Sequence, residues 1–200
     1  MSELLPPLDV HPKTGAEPFH YAGASLGFDL LRFWQWSASD LASNALRGRL
    51  AEFLVAQALG ITGGVRAEWD AVDLRTPEGI TLEVKSAAYL QTWAQKAPSI
   101  ISFDIRPTRF WDPHTNDMEA EPRRQAELYV FALLSHQNKA TLDPMDLAQW
   151  AFFVLSTAVL NAKLPTQKRV SLFTLLKLGP EHCGFSDLRS AVERIASSAA

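Results

Sequence analysis

A single cysteine, Cys183, stands in a chain of 200 residues, so no internal disulfide framework holds the fold, and the composition suits a reducing compartment. The same scarcity argues against zinc. One thiol and five histidines (His11, His20, His114, His136 and His182) without ligand spacing do not build a zinc site. No apolar run is long enough to cross a bilayer, and the first residues lack the basic start and apolar stretch of a signal peptide. A cytoplasmic location without a membrane partner is the expectation. No G-x-x-x-x-G-K-[ST] loop is present, which removes ATP hydrolysis by that route. Gly23-Ala24-Ser25-Leu26-Gly27 has the outline of a serine-nucleophile elbow but no buried strand before it. Basic excess is missing too. With a net charge of −3, any attraction to nucleic acid must come from a local patch.

What the chain does have is apolar mass. A hydrophobic content of 47% with six tryptophans and eleven phenylalanines argues for a packed globule, and the length suits one domain with a substantial core. Residues 1–18 are proline-rich and polar and read as an irregular arm. Residues 19–36, with Phe19, Phe28, Phe33, Trp34 and Trp36, read as an apolar segment packed on the domain. Residues 1–37 thus form an arm and packing segment, and 38–200 a single α/β domain. A helix is expected over 38–59, with Ser37 as N-cap, Asp40 in its first turn, and Gly60 and Gly63-Gly64 ending it. Strands are expected over 65–76, 80–86 and 99–106. Residues 127–134 (ELYVFALL) and 149–155 (QWAFFVL) have the near-continuous apolar character of strands buried on both faces. An amphipathic helix over 186–197 closes the chain. This order predicts a mixed sheet flanked by helices.

The most telling stretch is Val72 to Lys85. Pro77-Glu78-Gly79 suits a three-residue hairpin loop, its glycine taking the position that needs positive φ. That loop pairs Thr76 with Ile80, Arg75 with Thr81, Leu74 with Leu82, and Asp73 with Glu83. Alternation then places Val72, Leu74, Ile80, Leu82 and Val84 on one face, and Asp73, Arg75, Thr81, Glu83 and Lys85 on the other. Opposed carboxylates on a sheet repel, and a pair retained against that cost points to a bound cation. Asp70, a rival acid, falls on the opposite face in this register. The preceding helix adds a third carboxylate. Glu52 lies off the expected apolar stripe of Leu46, Leu50, Phe53 and Leu54, on a face shared with the small residues Ala45, Gly48 and Ala56. That placement predicts either partial burial or a surface glutamate in an Arg–Glu pair, with Arg47 or Arg49 positioned to neutralise it or to meet a phosphate.

A helix bearing Glu52, a hairpin with Asp73, and the triplet Glu83-Val84-Lys85 on the next strand together resemble the PD-(D/E)XK nuclease superfamily, the restriction-endonuclease-like fold. The resemblance covers roughly residues 38–160, with Val72 where the family often has proline. It implies a nuclease that hydrolyses DNA phosphodiester bonds with Mg2+ or Mn2+. The ion would be held by Asp73, Glu83, the Val84 carbonyl and, through water, Glu52, with Lys85 beside the reacting phosphate. Ser86 and Gln91 would contact the substrate backbone, and a homodimer would suit the cutting of two strands. The polar connection 107–126, flanked by Arg106, Arg109, Arg123 and Arg124 and carrying Phe110 and Trp111, is long enough to grip DNA or to be a surface loop. The opposing reading is a metal-free cluster of ion pairs in a binding or structural module.

Overall fold

Seven consecutive buried residues, Leu128–Leu134, run through the main sheet, and the two hydrophobic cores lie on the two faces they create. The computed structural model describes Leu5, residues 8–112 and residues 115–199; part of the N-terminal arm and His114 lie outside the described residues. In chain order the elements are β1 (Pro18–Tyr21), β2 (Ala24–Asp29), α1 (Leu30–Ala38), α2 (Asn44–Leu59), β3 (Leu74–Arg75), β4 (Thr81–Ala88), β5 (Ser102–Asp104), β6 (Trp111–Asp112), β7 (Asp117–Met118), β8 (Leu128–Leu134), β9 (Trp150–Ser156), α3 (Thr157–Lys163), β10 (Arg169–Ser171), α4 (Leu172–Lys177), β11 (Glu181–Cys183) and α5 (Leu188–Ala199).

The main sheet has five strands in the order β11-β9-β8-β4-β3. It is mixed: β4 and β8 are parallel, and the other neighbours are antiparallel. Strand alternation divides its side chains between two cores. Leu82, Val84, Leu128, Val130, Leu134, Phe152 and Val154 pack against Ala51, Leu54, Val55 and Leu59 of α2 and Leu188, Ala191 and Val192 of α5. On the other face Phe131, Leu133, Phe153 and Leu155 meet Phe103, Val170, Leu160 and Leu175. These come from a two-stranded β5–β10 ribbon and from α3 and α4. The expected mixed α/β sheet flanked by helices is therefore observed. No helix among the described residues is long and apolar enough to cross a membrane.

Two polar devices fix this packing. Thr81, at the start of β4, donates from its amide and hydroxyl to the Glu127 carboxylate, and the Glu127 amide donates back to the Thr81 hydroxyl. That clasp sets the β4–β8 register. Arg124 is 6% exposed and donates to the carbonyls of Ile105, Leu164 and Gln167 and to Asn161 Oδ1. One guanidinium thus ties three segments beneath the second core.

Several sequence expectations change. The helix over 38–59 is two helices. Asp29 caps α1 by accepting from the Arg32 amide at 3.0 Å, and Ser37 lies inside α1, donating to the Phe33 carbonyl at 2.7 Å. Ser37 is therefore not an N-cap. Asp40 accepts from the Ser43 amide and turns the chain before α2 begins at Asn44. The other end is as expected: Gly60 has φ 73°, and the Ile61 amide reaches back to the Ala56 carbonyl at 3.0 Å, a left-handed helix stop suited to glycine. The stripe on α2 is rotated from Leu46, Leu50 and Phe53 to Arg47, Ala51, Leu54, Val55 and Leu59. Phe53 is 52% exposed, because small Ala51 lets the neighbouring side of the helix sit closer to the sheet.

The strand expected over 65–76 shrinks to Leu74–Arg75. Arg66, Glu68 and Asp70 crowd the segment before it with charges that no sheet face can bury. The aromatic residues of 19–36 form the β1–β2 hairpin and α1, yet none of α1 is buried. Phe19 and Phe28 stack on each other at 4.9 Å, so the segment packs largely on itself. The connection 107–126 is a small ribbon of β6 and β7 extended by a Thr108–Arg123 bridge.

Phe131 is fully buried on the central strand, edge-on to Phe103 at 5.1 Å. Replacing it with alanine removes a large side chain from a site that cannot collapse. Urea unfolding of Phe131→Ala is expected to show a loss of about 3–5 kcal/mol; a loss under about 1 kcal/mol is incompatible with this packing.

Candidate active site at the open edge of the sheet

The hairpin register is the one alternation predicts. Leu74 pairs with Leu82 and Arg75 with Thr81. The Thr76 amide donates to Ile80 and the Gly79 amide to Thr76, both at 2.9 Å, and Gly79 has φ 94°. Above Leu74 the partner strand stops. The Val84 amide, which would otherwise bond to a continuing β3, donates to Asp73 Oδ2 at 2.7 Å. N–H and C=O of one strand residue point to the same side, so the Val84 carbonyl also faces this gap. The gap matters because Glu52 and Glu83 start on opposite sides of the sheet. Glu52 rides on α2, over the Leu82–Val84 face; Glu83 and Lys85 project from the other. Past the end of β3 their charges influence one another.

The charges register one another there. Burial raises the pKa of Glu83 above the usual carboxylate range, and the negative charges of Asp73 and Glu52 add to that effect against the opposing pull of Lys85. Burial likewise raises Glu52, aided by Asp73 and opposed by Arg66 and Lys85. Burial pushes Lys85 down, but Glu83, Asp73 and Asp104 together hold its ammonium above the ordinary lysine value. Lys85 therefore stays charged at neutral pH. It donates to Glu83 Oε1. Glu52, whose side chain is 13% exposed and so partly buried as expected, accepts from Arg66 Nε at one oxygen and from Nη2 at the other, the latter at 3.2 Å.

Arg66 was not among the sequence candidates. It belongs to residues 61–73, which form no helix or strand, and carries no periodic signal; only the need of a half-buried Glu52 for a counter-ion pointed to a cation of some kind. Tyr129 was missed as well. The parallel register sets it opposite Glu83, and burial followed by the Glu83 charge pushes its hydroxyl pKa up. A phenol within an apolar run reads as core.

The remaining candidates are placed as follows. Arg47 is 4% exposed and donates to Ser86 Oγ, the Ala42 carbonyl and Asn44 Oδ1. It neither neutralises Glu52 nor faces solvent, and Ser86 is its acceptor. Gln91 is buried; its Nε2 donates to the Ala88 carbonyl and Ser99 Oγ, while its Oε1 is buried without a partner among the described residues. Arg49 is exposed, 3.8 Å from Glu68. In the ribbon, Arg106 pairs with Asp104 and Arg123 with Glu119, and Arg124 is buried. Of the four arginines expected to grip DNA, Arg109 alone is exposed without a hydrogen bond or ion pair among the described residues. Trp111 stands edge-on to Trp69 at 5.9 Å. Burial pushes the Cys183 thiol up to about 11, which makes it a poor nucleophile at neutral pH.

A cavity of about 270 Å³ adjoins the carboxylates. Glu52, Asp73, Arg49, Arg66, Arg75 and Phe53 are among its lining residues. As to a metal, no three carboxylate, imidazole or thiol groups among the described residues already converge on one point. The donors nevertheless suit a hard divalent cation: Asp73, Glu83 and the Val84 carbonyl supply oxygen, and mutual repulsion among half-buried acids is what such an ion relieves. Glu52 and Glu83 are each engaged by a cation of the chain itself, so those pairs must open to admit one. Neither the family models nor the curated proteins compared with this chain match it.

Glu52 and Glu83 keep their protons to higher pH in the folded protein than in the unfolded chain. Between the ordinary glutamate range and those raised values the folded state binds more protons, so stability falls as pH rises through that window. Urea midpoints measured from about pH 4 to about pH 7 are expected to decline more steeply for the wild type than for Glu83→Gln. Identical slopes would remove the strain assigned to this carboxylate.

Proposed function

We propose that the chain is a divalent-metal-dependent nuclease of the restriction-endonuclease-like fold that hydrolyses DNA phosphodiester bonds, in a cytoplasmic defence, repair or recombination setting. One observation carries the reading. Where β3 ends, Asp73 caps the Val84 amide, Lys85 pairs with Glu83, and the charge of Glu52 is felt by the same group. This is the set of groups that phosphodiester hydrolysis requires, with two acids whose charges burial disfavours.

Asp73, Glu83 and the Val84 carbonyl would hold Mg2+ or Mn2+, with Glu52 acting through water. Bound there, such an ion would polarise the scissile phosphate and activate water for attack. The chain's own groups do the rest. Lys85 remains protonated, so it serves as a donor to the attacking water or to charge growing on the phosphate oxygens, not as the general base. Glu52 is the more exposed to change, since its partner lies on an irregular segment, and it orients the water. Arg75, exposed and without an ion pair among the described residues, lines the adjoining cavity and offers its charge to the substrate backbone. A homodimer would place two such sites on two strands.

A second reading has its own observation. The Glu52–Arg66 and Glu83–Lys85 pairs are closed, as they would be in a non-catalytic binding or structural module whose charges only satisfy one another.

Cleavage assays separate the two. Purified protein is expected to cut DNA only with Mg2+ or Mn2+, with Glu83→Ala and Lys85→Ala each lowering the rate by at least about a hundredfold. Equal residual cleavage by wild type and both variants would sink the catalytic reading. Absence of divalent-ion binding by calorimetry at millimolar metal would leave the second.

A further inference from the structure

Arg66 makes the least settled contact in the site. Its guanidinium grips both oxygens of Glu52 and sends Nη1 to Glu68 Oε2. Glu52 is the buried end of this chain of charges, at 13% side-chain exposure, whereas Arg66 is 36% and Glu68 55% exposed. The segment that carries Arg66 has no helix or strand. Its outer attachments are Glu68 to Arg49 and Trp69 edge-on to Trp111. Lys85, by contrast, projects from a strand paired along its length with β8 and is mostly buried. Of the two cations that neutralise the acids, Arg66 is the more exposed, 36% against 27%, and the one carried on irregular backbone. Leaving Glu52 would not take it far, because it lines the cavity that also holds Arg49, Arg75 and Asp73.

We propose that Arg66 and a divalent cation compete for Glu52, and that the displaced guanidinium stays in the cavity with Arg49 and Arg75 as a ligand for a nucleic-acid phosphate. The inference rests on the nuclease reading and adds a residue to it. Glu52, beside the charge of Asp73, gains more from an ion shared with Asp73 and Glu83 than from a half-exposed guanidinium. A planar fork that fits a carboxylate fits a phosphate equally well. Metal entry would thus convert a counter-ion into a substrate contact.

The test is calorimetric titration of the full chain with Mn2+, with no activity readout. Arg66→Ala is expected to bind Mn2+ about three- to fivefold more tightly than wild type. Arg49→Ala, which removes the same charge from the same cavity without freeing Glu52, is expected to change affinity by less than about twofold. In a Glu52→Gln background the gain from Arg66→Ala disappears. Binding of a duplex oligonucleotide in Ca2+ moves the other way, weakening severalfold in Arg66→Ala. Arg66→Gln carries the same comparison where the alanine variant does not fold. Equal gains from Arg49→Ala and Arg66→Ala, a gain that persists without Glu52, or undiminished oligonucleotide binding each overturn the proposal while leaving the nuclease reading intact. Failure of wild type and every variant to bind Mn2+ overturns the nuclease reading itself.

Discussion

The hydrogen bond from the Val84 amide to the Asp73 carboxylate decides the character of this molecule's polar edge. In an uninterrupted hairpin that amide would bond to backbone two residues before Leu74, and Asp73 would be one more side chain above the sheet. Here the carboxylate takes the place of a strand. It satisfies an amide that would otherwise be orphaned, and it ends β3 without leaving Val84 unpaired. The edge of β4 is thereby left uncovered beside Glu83. Through that opening the helix-borne Glu52 comes within the influence of carboxylates rooted on the far face. Lengthening β3 by one pair would close the passage.

The arginines divide according to what they touch. Arg47 and Arg124 are buried and meet neutral acceptors: carbonyls, an amide oxygen and a hydroxyl. Burial lowers the pKa of both, the signature of a charge held for its geometry as a multi-armed donor. Arg66 meets carboxylates at a partly wet position, and its pKa is raised first by its hydrogen bond to Glu52. The first kind joins segments of the fold; the second is an exchangeable charge.

The hairpin was legible because every feature that defines it is local. A glycine at positive φ, a proline and alternation set its register as far as Leu74–Leu82, but the expected pairing of Asp73 with Glu83 does not form, because β3 ends and Asp73 takes the Val84 amide instead. The buried strands were legible for a similar reason, since Leu128–Leu134 and Trp150–Ser156 have no polar face to misplace. The break between α1 and α2 was harder. Ser37 read as the cap, whereas α2 starts after Ser43, whose amide donates to Asp40, which also accepts from Thr92, 52 residues away. Arg47 read as a partner for Glu52 or a phosphate, because helical spacing says nothing about Ser86, its actual acceptor. Arg66 sits in a segment without period, so its meeting with Glu52 is a purely tertiary fact.

The parallel pairing of β4 with β8 has a consequence in time. The Thr81–Glu127 clasp joins residues 46 positions apart, and parallel neighbours cannot be joined by a tight turn. Such distant pairings form slowly. On a growing chain, Asp73, Glu83 and Lys85 emerge together on a hairpin well before β8 exists to hold β4 in place. Until Leu134 and the returning β9 have been synthesised, that hairpin has two open edges, and charged residues along an edge are of the kind that discourages pairing with other chains. The acids that form the candidate site thus also place charge at the sheet edge while the sheet is incomplete.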